Sequence, residues 1–176
     1  MSMPRDAIVP TLAELAADGD QDALARIMAA HDADMTRICM VICGNLGTAR
    51  EAVQAAWPIA WRKLGSLRDA DRLRPWLMSV AANEARKIMR ADRRRFDRES
   101  RLTAISPEDP ADRAEYLDLA RAVGLLDADD RRLVALRYVA GLTSQEIARE
   151  VGGTAASVRG KLARAVARLR RELADA

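Results

Sequence analysis

Four polar side chains near the end of the chain alternate with an apolar stripe at helical spacing, which would leave them mostly on the outer surface of a helix. They lie in the segment AASVRGKLARAV and are Ser157, Arg159, Lys161 and Arg164. The apolar residues between them follow the helical period, so the polar ones are expected to face outward. Arginine and lysine donate hydrogen bonds to phosphates and to guanine edges, which suits contact with DNA. The alternative is a helical hairpin with a solvated basic face.

The residues before this helix complete a helix-turn-helix pattern. Thr143 and Glu146 form a capping box that starts a short helix. Ala148 is small where the two helices would cross, and Gly152 permits a turn with positive φ. Such a pair predicts that the second helix enters a major groove and presents its first residues to base edges.

Other chemistry finds little support in the sequence. Cys39, Cys43 and His31 are the residues with metal or redox potential. On a straight helix His31 and Cys39 would be about 12 Å apart, too far for one ion. We expect the cysteines to pack in the core, with redox or metal sensing as the alternative. Without a nucleophile–base pair or a phosphate-binding glycine loop, we expect no enzyme, no metal and no cofactor.

Composition predicts an all-helical protein. The 176 residues are 49% hydrophobic and include only 9 glycines. A sequence pI of about 9.2 comes mainly from arginine, for which a GC-rich genome is an alternative explanation. The first residues lack the apolar stretch of a signal peptide, and no run reaches the ~20 apolar residues of a membrane span. We therefore expect a soluble, cytoplasmic protein.

Two helical blocks joined by a flexible linker are predicted. Helices are expected at residues 20–30, 33–43, 48–64 and 73–94 of a first domain, 1–95. The polar segment 96–113 contains Ser106, Pro107 and Pro110 and is predicted to be a linker that orders on binding. A second domain, 114–176, should hold four helices, one of them capped by Asp127.

The second block resembles region 4 of sigma-70-type sigma factors, most closely the extracytoplasmic-function (ECF) subfamily. The resemblance is carried by LLDADDRRLVALRYVAGLTSQEIAREVGGTAASVRGKLARAVARLR. In the first block, LRDADRLRPWLMSVAANEARKIMRADRRR is similar to region 2 of that subfamily, and AREAVQAAWPIAWRKL is a looser match. The two blocks stand in the same order as in an ECF sigma factor and cover nearly the whole chain.

The resemblance implies a role in transcription initiation. Such a protein would bind core RNA polymerase, direct it to promoters and assist DNA melting, with an anti-sigma factor as a further expected partner. Region 4 would bind the minus-35 element as duplex through the four residues named first. Region 2 would capture the minus-10 element as a single strand. The implied minus-10 positions are Arg68, Asp69, Ala70, Asp71, Arg72, Asn83, Arg86, Lys87 and Arg90.

Two side chains of the first block keep alternative interpretations. An amide such as Asn83 can read the edge of an unstacked base, but it can also be a plain surface residue. Trp76 could stack on a base, although its neighbours favour a place in the core.

The expected polymerase-binding helix departs from the family pattern. Glu51 and Gln54 remain, but Thr48, Arg50 and Ala55 stand where acidic residues are usual. Pro58 lies in the same helix, where a bend or break after Gln54 is predicted, with Trp57 and Trp61 packed inward.

Two other functions remain open on the sequence alone. One is a stand-alone helix-turn-helix regulator that binds duplex DNA without polymerase. The other is a degenerate sigma-like interaction module, which the altered polymerase-binding helix would suit.

Overall fold

A computed structural model describes residues 11–67, 69–96 and 110–174, apart from the side chains of residues 70, 92–96 and 110–117. Throughout these residues the regular structure is helical, as the composition predicts. The α-helices are α1 (Leu12–Ala17), α2 (Gln21–Cys43), α3 (Leu46–Leu64), α4 (Leu73–Phe96), α5 (Pro110–Leu125), α6 (Ala128–Val134), α7 (Ser144–Val151) and α8 (Ala155–Ala174). A short 3₁₀ turn, Ala70–Arg72, precedes α4, and a π turn, Ala135–Val139, follows α6.

The first block is built on three long helices that pack against one another, α2, α3 and α4, with α1 against α2 and α3. Asp20 caps α2 by accepting from the amides of Asp22 and Ala23, and Asn45 caps α3 by accepting from the amide of Thr48. The predicted division at residues 30–33 is wrong, since α2 continues through it. Neither proline nor glycine stands there to end the helix.

The core of this block includes a stripe of apolar residues at helical spacing on α2. Met35, Ile38, Cys39 and Ile42 are all at most 1% exposed. Small residues of α3 and α4 lie opposite them and let the helices approach closely. Both cysteines are therefore core residues, as expected.

Two details of α3 differ from expectation. The helix is continuous from Leu46 to Leu64 with Pro58 inside it, so the predicted break is wrong, while the bend stays a prediction. Pro58 is exposed, and there its ring and missing amide are tolerated on the solvent side. Trp57 is buried, but Trp61 is 46% exposed and does not pack inward. Four residues advance a helix by more than one turn, which moves Trp61 toward the edge of the apolar face.

Local signals set the helices of the second block. Asp127 caps α6 by accepting from the amides of Asp129 and Asp130, as predicted. Gly141 adopts φ 71° after the π turn, and the amide of Leu142 donates to the carbonyl of Leu136. That bond, from residue 142 back to residue 136, closes the helix end before α7 begins.

The segment between the blocks is only partly described. α4 extends to Phe96, and α5 begins at Pro110, inside the segment expected to be linker. Proline is well suited to the first position of a helix, where its missing amide has no intrahelical partner. The remaining predicted linker residues, 97–109, lie outside the described residues.

The two blocks pack against each other. α4 contacts α6, α7 and the π turn, and α2 contacts α5, α6 and the π turn. This packing decides which faces of the molecule are open to a partner.

Candidate nucleic-acid interface

The helix-turn-helix forms as the sequence predicts. Thr143 caps α7, and its hydroxyl accepts from the amide of Glu146 while the Glu146 carboxylate accepts from the amide of Thr143. Ile147 is fully buried. Gly152 and Gly153 take φ values of 83° and 105°, conformations that a side chain would strain.

The polar face of α8 is exposed. The side chains of the four residues predicted to bind duplex DNA, Ser157, Arg159, Lys161 and Arg164, all face solvent. The apolar residues between them, Val158 and Leu162, are buried. Within the described residues, no ion pair engages these three cations. Their charges are therefore available to a polyanion.

A cleft of about 520 Å³ lies beside α4 in the first block. Asn83 and Lys87, both predicted to bind the minus-10 strand, line it, together with Trp76 and Ser79 of the same helix. Trp76 is half-buried and packs on the core, as its neighbours favour, and it also lines the cleft, where stacking on a base stays a prediction. The Ser79 hydroxyl is buried with no hydrogen-bond partner among the described residues.

Two further cations of this cleft were not predicted from the sequence. Arg62 and Lys63, in the last turn of α3, line the wall opposite α4. Their position at the end of a predicted helix was the only hint in the sequence that they belong to this site. The packing of α3 on α4 places them near Asn83. The cleft thus joins an amide, an aromatic ring and three cations, which suit a base and a phosphate backbone, with two carboxylates, Glu84 and Glu150, of which Glu84 pairs with Lys87 at 2.7 Å.

The loop before α4 carries carboxylates rather than cations. Asp69 and Asp71 are exposed, and the Asp69 side chain accepts from the amide of Asp71 at 3.0 Å. Arg68 and the side chain of Ala70, two further predicted contacts, lie outside what the structure describes.

Three other predicted cations are engaged by the second block. Arg72 pairs with Glu150 of α7 at 2.6 Å. Arg86 pairs with Asp129 of α6 at 3.1 Å, and Arg90 pairs with the other oxygen of Asp129. Burial tends to raise the pKa of Asp129, but the Arg86 hydrogen bond and the Arg90 charge outweigh it and hold the pKa below its usual range.

Two buried arginines at this junction had no sequence signal. Arg131 donates to the carbonyl of Ile42, in the last turn of α2, at 2.8 Å. That contact satisfies a helix-terminal carbonyl and complements the helix dipole. Arg132 is 7% exposed and makes no ion pair with any described residue. Burial, and then the charge of Arg86, lowers the pKa of Arg132 to about 10.

The expected polymerase face lies on α3. Glu51 and Gln54 are both exposed. Gln54 lines a second cleft, of about 630 Å³, with Asp32 of α2 and Trp57. The Trp57 indole donates to Asp32 at 2.9 Å, which fixes that wall. Glu51 does not line this cleft, so only one of the two residues predicted to bind polymerase lies in it.

The described residues contain no group of three or more potential ligands that could hold a metal ion. Cys39 and Cys43 are buried thiols, and the thiol of Cys39 donates to the carbonyl of Ala81. Burial raises the pKa of Cys39, and the neighbouring Cys43 raises it further. Among the described helices, none combines the length and the apolar character that a bilayer span requires.

Family models match both blocks. The model for sigma-70 region 2 matches residues 27–95, and the model for sigma-70 region 4 matches residues 116–169.

Curated relatives agree with those matches. The chain is 32% identical over 168 residues to the probable RNA polymerase sigma factor RfaY of Xanthomonas campestris pv. campestris, and it spans 42% of the length of that protein. It is 30% identical over 165 residues to the RNA polymerase sigma factor CarQ of Myxococcus xanthus, with 90% of this chain and 93% of CarQ covered.

The fold agrees as well. The structure of CnrH in complex with the cytosolic domain of CnrY superposes with a TM-score of 0.69 at 27% identity, over 93% of this chain and 96% of that one. The match therefore extends over both helical blocks. The chain belongs to the sigma-70 family of RNA polymerase sigma factors, in the extracytoplasmic-function subfamily, and its role is in transcription initiation.

Proposed function

We propose that the two blocks of this sigma factor bind two different forms of promoter DNA. The second domain, residues 114–176, binds the minus-35 element as duplex through the polar face of α8. The support is the exposure of Ser157, Arg159, Lys161 and Arg164 on a helix whose other face is buried against α7. A helix presented in this way fits a major groove.

The first domain, residues 1–95, binds the minus-10 element as a single strand in the cleft beside α4. Asn83 is the proposed reader of an unstacked base, because its amide can donate and accept on one edge. Trp76 offers a stacking face, and Lys87, Arg62 and Lys63 suit the backbone. The loop at residues 68–72 and the cations of α4, Arg86 and Arg90, complete the proposed surface. The polar segment between the domains is their linker.

Core RNA polymerase is the proposed partner of the exposed face of α3, through Glu51 and Gln54. The relative CnrH was solved with the cytosolic domain of CnrY, and we propose that an anti-sigma factor likewise binds this chain. The chemistry of RNA synthesis would belong to the polymerase, so the chain itself is proposed to act without catalysis, in the cytoplasm.

One observation carries the proposal: two cationic surfaces of different shape lie on the two blocks. The convex helix α8 suits duplex, whereas the concave cleft beside α4 suits a separated strand. A stand-alone repressor would need the first surface only.

The test is transcription with reconstituted core polymerase on a promoter that the holoenzyme uses. Asn83→Ala should reduce permanganate reactivity of the melted region while leaving closed-complex formation unchanged. Gln21→Ala, which removes an exposed amide at the start of α2, is the matched control. Equal melting by both variants would reduce Asn83 to a surface residue, and tight duplex binding with no response to polymerase would favour the stand-alone regulator.

A further inference from the structure

A buried hydroxyl in the cleft beside α4 lacks a hydrogen-bond partner. Ser79 lines the cleft and is 2% exposed, and its oxygen contacts no donor or acceptor within the described chain. A serine inside a helix usually bonds the carbonyl four residues earlier or faces solvent. A buried polar group without a partner is unfavourable, and a ligand that supplies the missing hydrogen bond removes that cost. Ser79 therefore points to a ligand with a polar edge.

The same cleft contains a carboxylate that is only partly engaged. The side chain of Glu84 is 13% exposed, and its Oε1 accepts from the Lys87 amine at 2.7 Å. Its second oxygen has no donor in the part of the chain that the structure describes. A phosphate repels a carboxylate, and deoxyribose within a strand has no hydroxyl. The N–H groups of the bases are thus the donors that single-stranded DNA can offer to Glu84.

We infer that Glu84, with the hydroxyl of Ser79, makes this cleft select bases that carry an exocyclic amino group and disfavour thymine. Adenine, cytosine and guanine all have such a group. The inference rests on the proposed function, because it takes the cleft as the site of the minus-10 strand.

The remaining groups of the cleft do not explain a preference of this kind. Trp76 can stack on any base, since every base has a π-face. The cations Arg62, Lys63 and Lys87 suit phosphates, which every nucleotide carries. The amide of Asn83 both donates and accepts, so it fits either type of base edge.

A carboxylate, in contrast, only accepts. Glu84 is the available one, because the other carboxylate of the cleft, Glu150, already accepts from Arg72 at 2.6 Å. Glutamate accepts from the amino group of cytosine, whereas thymine has a carbonyl oxygen at the same ring position. That oxygen would face the carboxylate with no hydrogen between them. Glu84 therefore decides which bases are favoured.

Lys87 connects base selection to binding of the backbone. Its side chain is 60% exposed, so its amine can reach a phosphate of a bound strand. Glu84 then loses its lysine partner while its side chain stays largely buried. A charged group without a partner is costly in such a place, and an amino group of the base replaces the lost donor.

The experiment uses the full-length protein reconstituted with core polymerase. Fluorescein-labelled oligo(dC) and oligo(dU) of equal length are bound at one salt concentration, and anisotropy gives the two affinities. Uracil is thymine without its methyl group, so the pair of probes tests the amino group free of methyl contacts. The variants are Glu84→Gln and Ser79→Ala. Asp18→Asn is the matched control, since it makes the same charge change in the first block at an exposed residue outside the cleft.

Wild type should bind oligo(dC) about 10-fold more tightly than oligo(dU), the size expected for one hydrogen bond to a charged group. Glu84→Gln should bring the ratio of affinities close to one, because an amide can present either an acceptor or a donor. The loss of a negative charge should raise both affinities alike and leave the ratio as the informative quantity. Ser79→Ala should lower the ratio as well, and Asp18→Asn should keep the wild-type value.

The opposite outcomes are equally specific. The same preference for oligo(dC) in wild type and in Glu84→Gln overturns the inference, because polymerase or another surface would then be its source. An unchanged ratio in Ser79→Ala removes that hydroxyl from the base edge.

One further pair of variants separates the inference from the proposed function. Lys63→Gln removes a cation of the cleft, and Arg26→Gln removes an exposed cation of α2 outside it. Weaker binding of both probes to Lys63→Gln alone, with a wild-type ratio of one, overturns the base preference and leaves the strand in the cleft. Identical behaviour of Lys63→Gln and Arg26→Gln contradicts the proposed site itself, and the inference fails with it.

Discussion

The two cationic surfaces of this sigma factor differ in what their arginines contact. On α8, Arg159 and Arg164 face solvent and form no ion pair within the described chain. On α4, Arg86 and Arg90 contact a carboxylate of the other block. The arginines of α8 are thus accessible to a ligand, whereas those of α4 are already paired with a carboxylate.

The difference teaches that composition and exposure alone do not define a DNA-binding surface. Both helices look basic in the sequence. Only the packing of α6 and α7 on α4 distinguishes arginines that face solvent from arginines that pair with a carboxylate. The three predictions below compare the behaviour of the two blocks, from the largest expected effect to the smallest.

The largest effect is expected on α8. Arg159→Ala and Lys161→Ala should each weaken binding to minus-35 duplex by about 1–3 kcal/mol, if the side chain makes a good base contact. Fluorescence anisotropy with promoter and scrambled duplexes measures this. Arg170→Ala is the comparison variant, and it should mainly lower the salt dependence. Unchanged affinity and sequence preference in all three variants would remove α8 from the interface.

An intermediate effect is expected from the two capping boxes, which are alike but lie in different blocks. Thr11 pairs with Glu14 before α1, and Thr143 pairs with Glu146 before α7. Replacement of either threonine by alanine should lower the free energy of unfolding by about 1 kcal/mol. Thr143→Ala should also weaken duplex binding, because α7 positions α8, whereas Thr11→Ala should not. Chemical denaturation and anisotropy give the two readouts, and equal DNA affinities would argue against a positioning role for α7.

The smallest effect concerns His31, which lies near the junction beside Arg74 and Asp34. Burial and then the Arg74 charge lower the pKa of His31, against an opposing influence of Asp34. A histidine with a lowered pKa in the folded state favours folding above its unfolded pKa of about 6.5. That contribution is lost as the pH falls from there toward the folded pKa.

The measurement is the midpoint of urea unfolding between pH 5 and 8. Wild type should lose more stability toward pH 5 than His31→Gln does. Parallel curves for the two proteins would show that His31 does not sense this environment.

Much of the second block could be predicted because its signals are local. The capping box at Thr143, the cap at Asp127 and the positive φ at Gly152 each depend on neighbours within a few residues. The exposed face of α8 followed from the helical period alone. These features position α8, which forms the candidate duplex-binding surface.

Features that depend on distant parts of the chain were not predictable in the same way. Asp129 lies 43 residues from Arg86, and Arg131 lies 89 residues from its acceptor at Ile42. No periodicity reports such a contact. Arginines are usually exposed in folded proteins, so the burial of Arg131 and Arg132 could not be predicted from their residue type.

The buried thiol of Cys39 is a built-in probe for the opening of the first block. The thiolate is the form that attacks a thiol reagent, and burial keeps Cys39 as the neutral thiol, out of contact with solvent. Modification by an aromatic disulfide must therefore wait until α2 separates from α4. Its rate reports the opening of the first block without any added label, and the same assay shows whether a bound partner slows that opening.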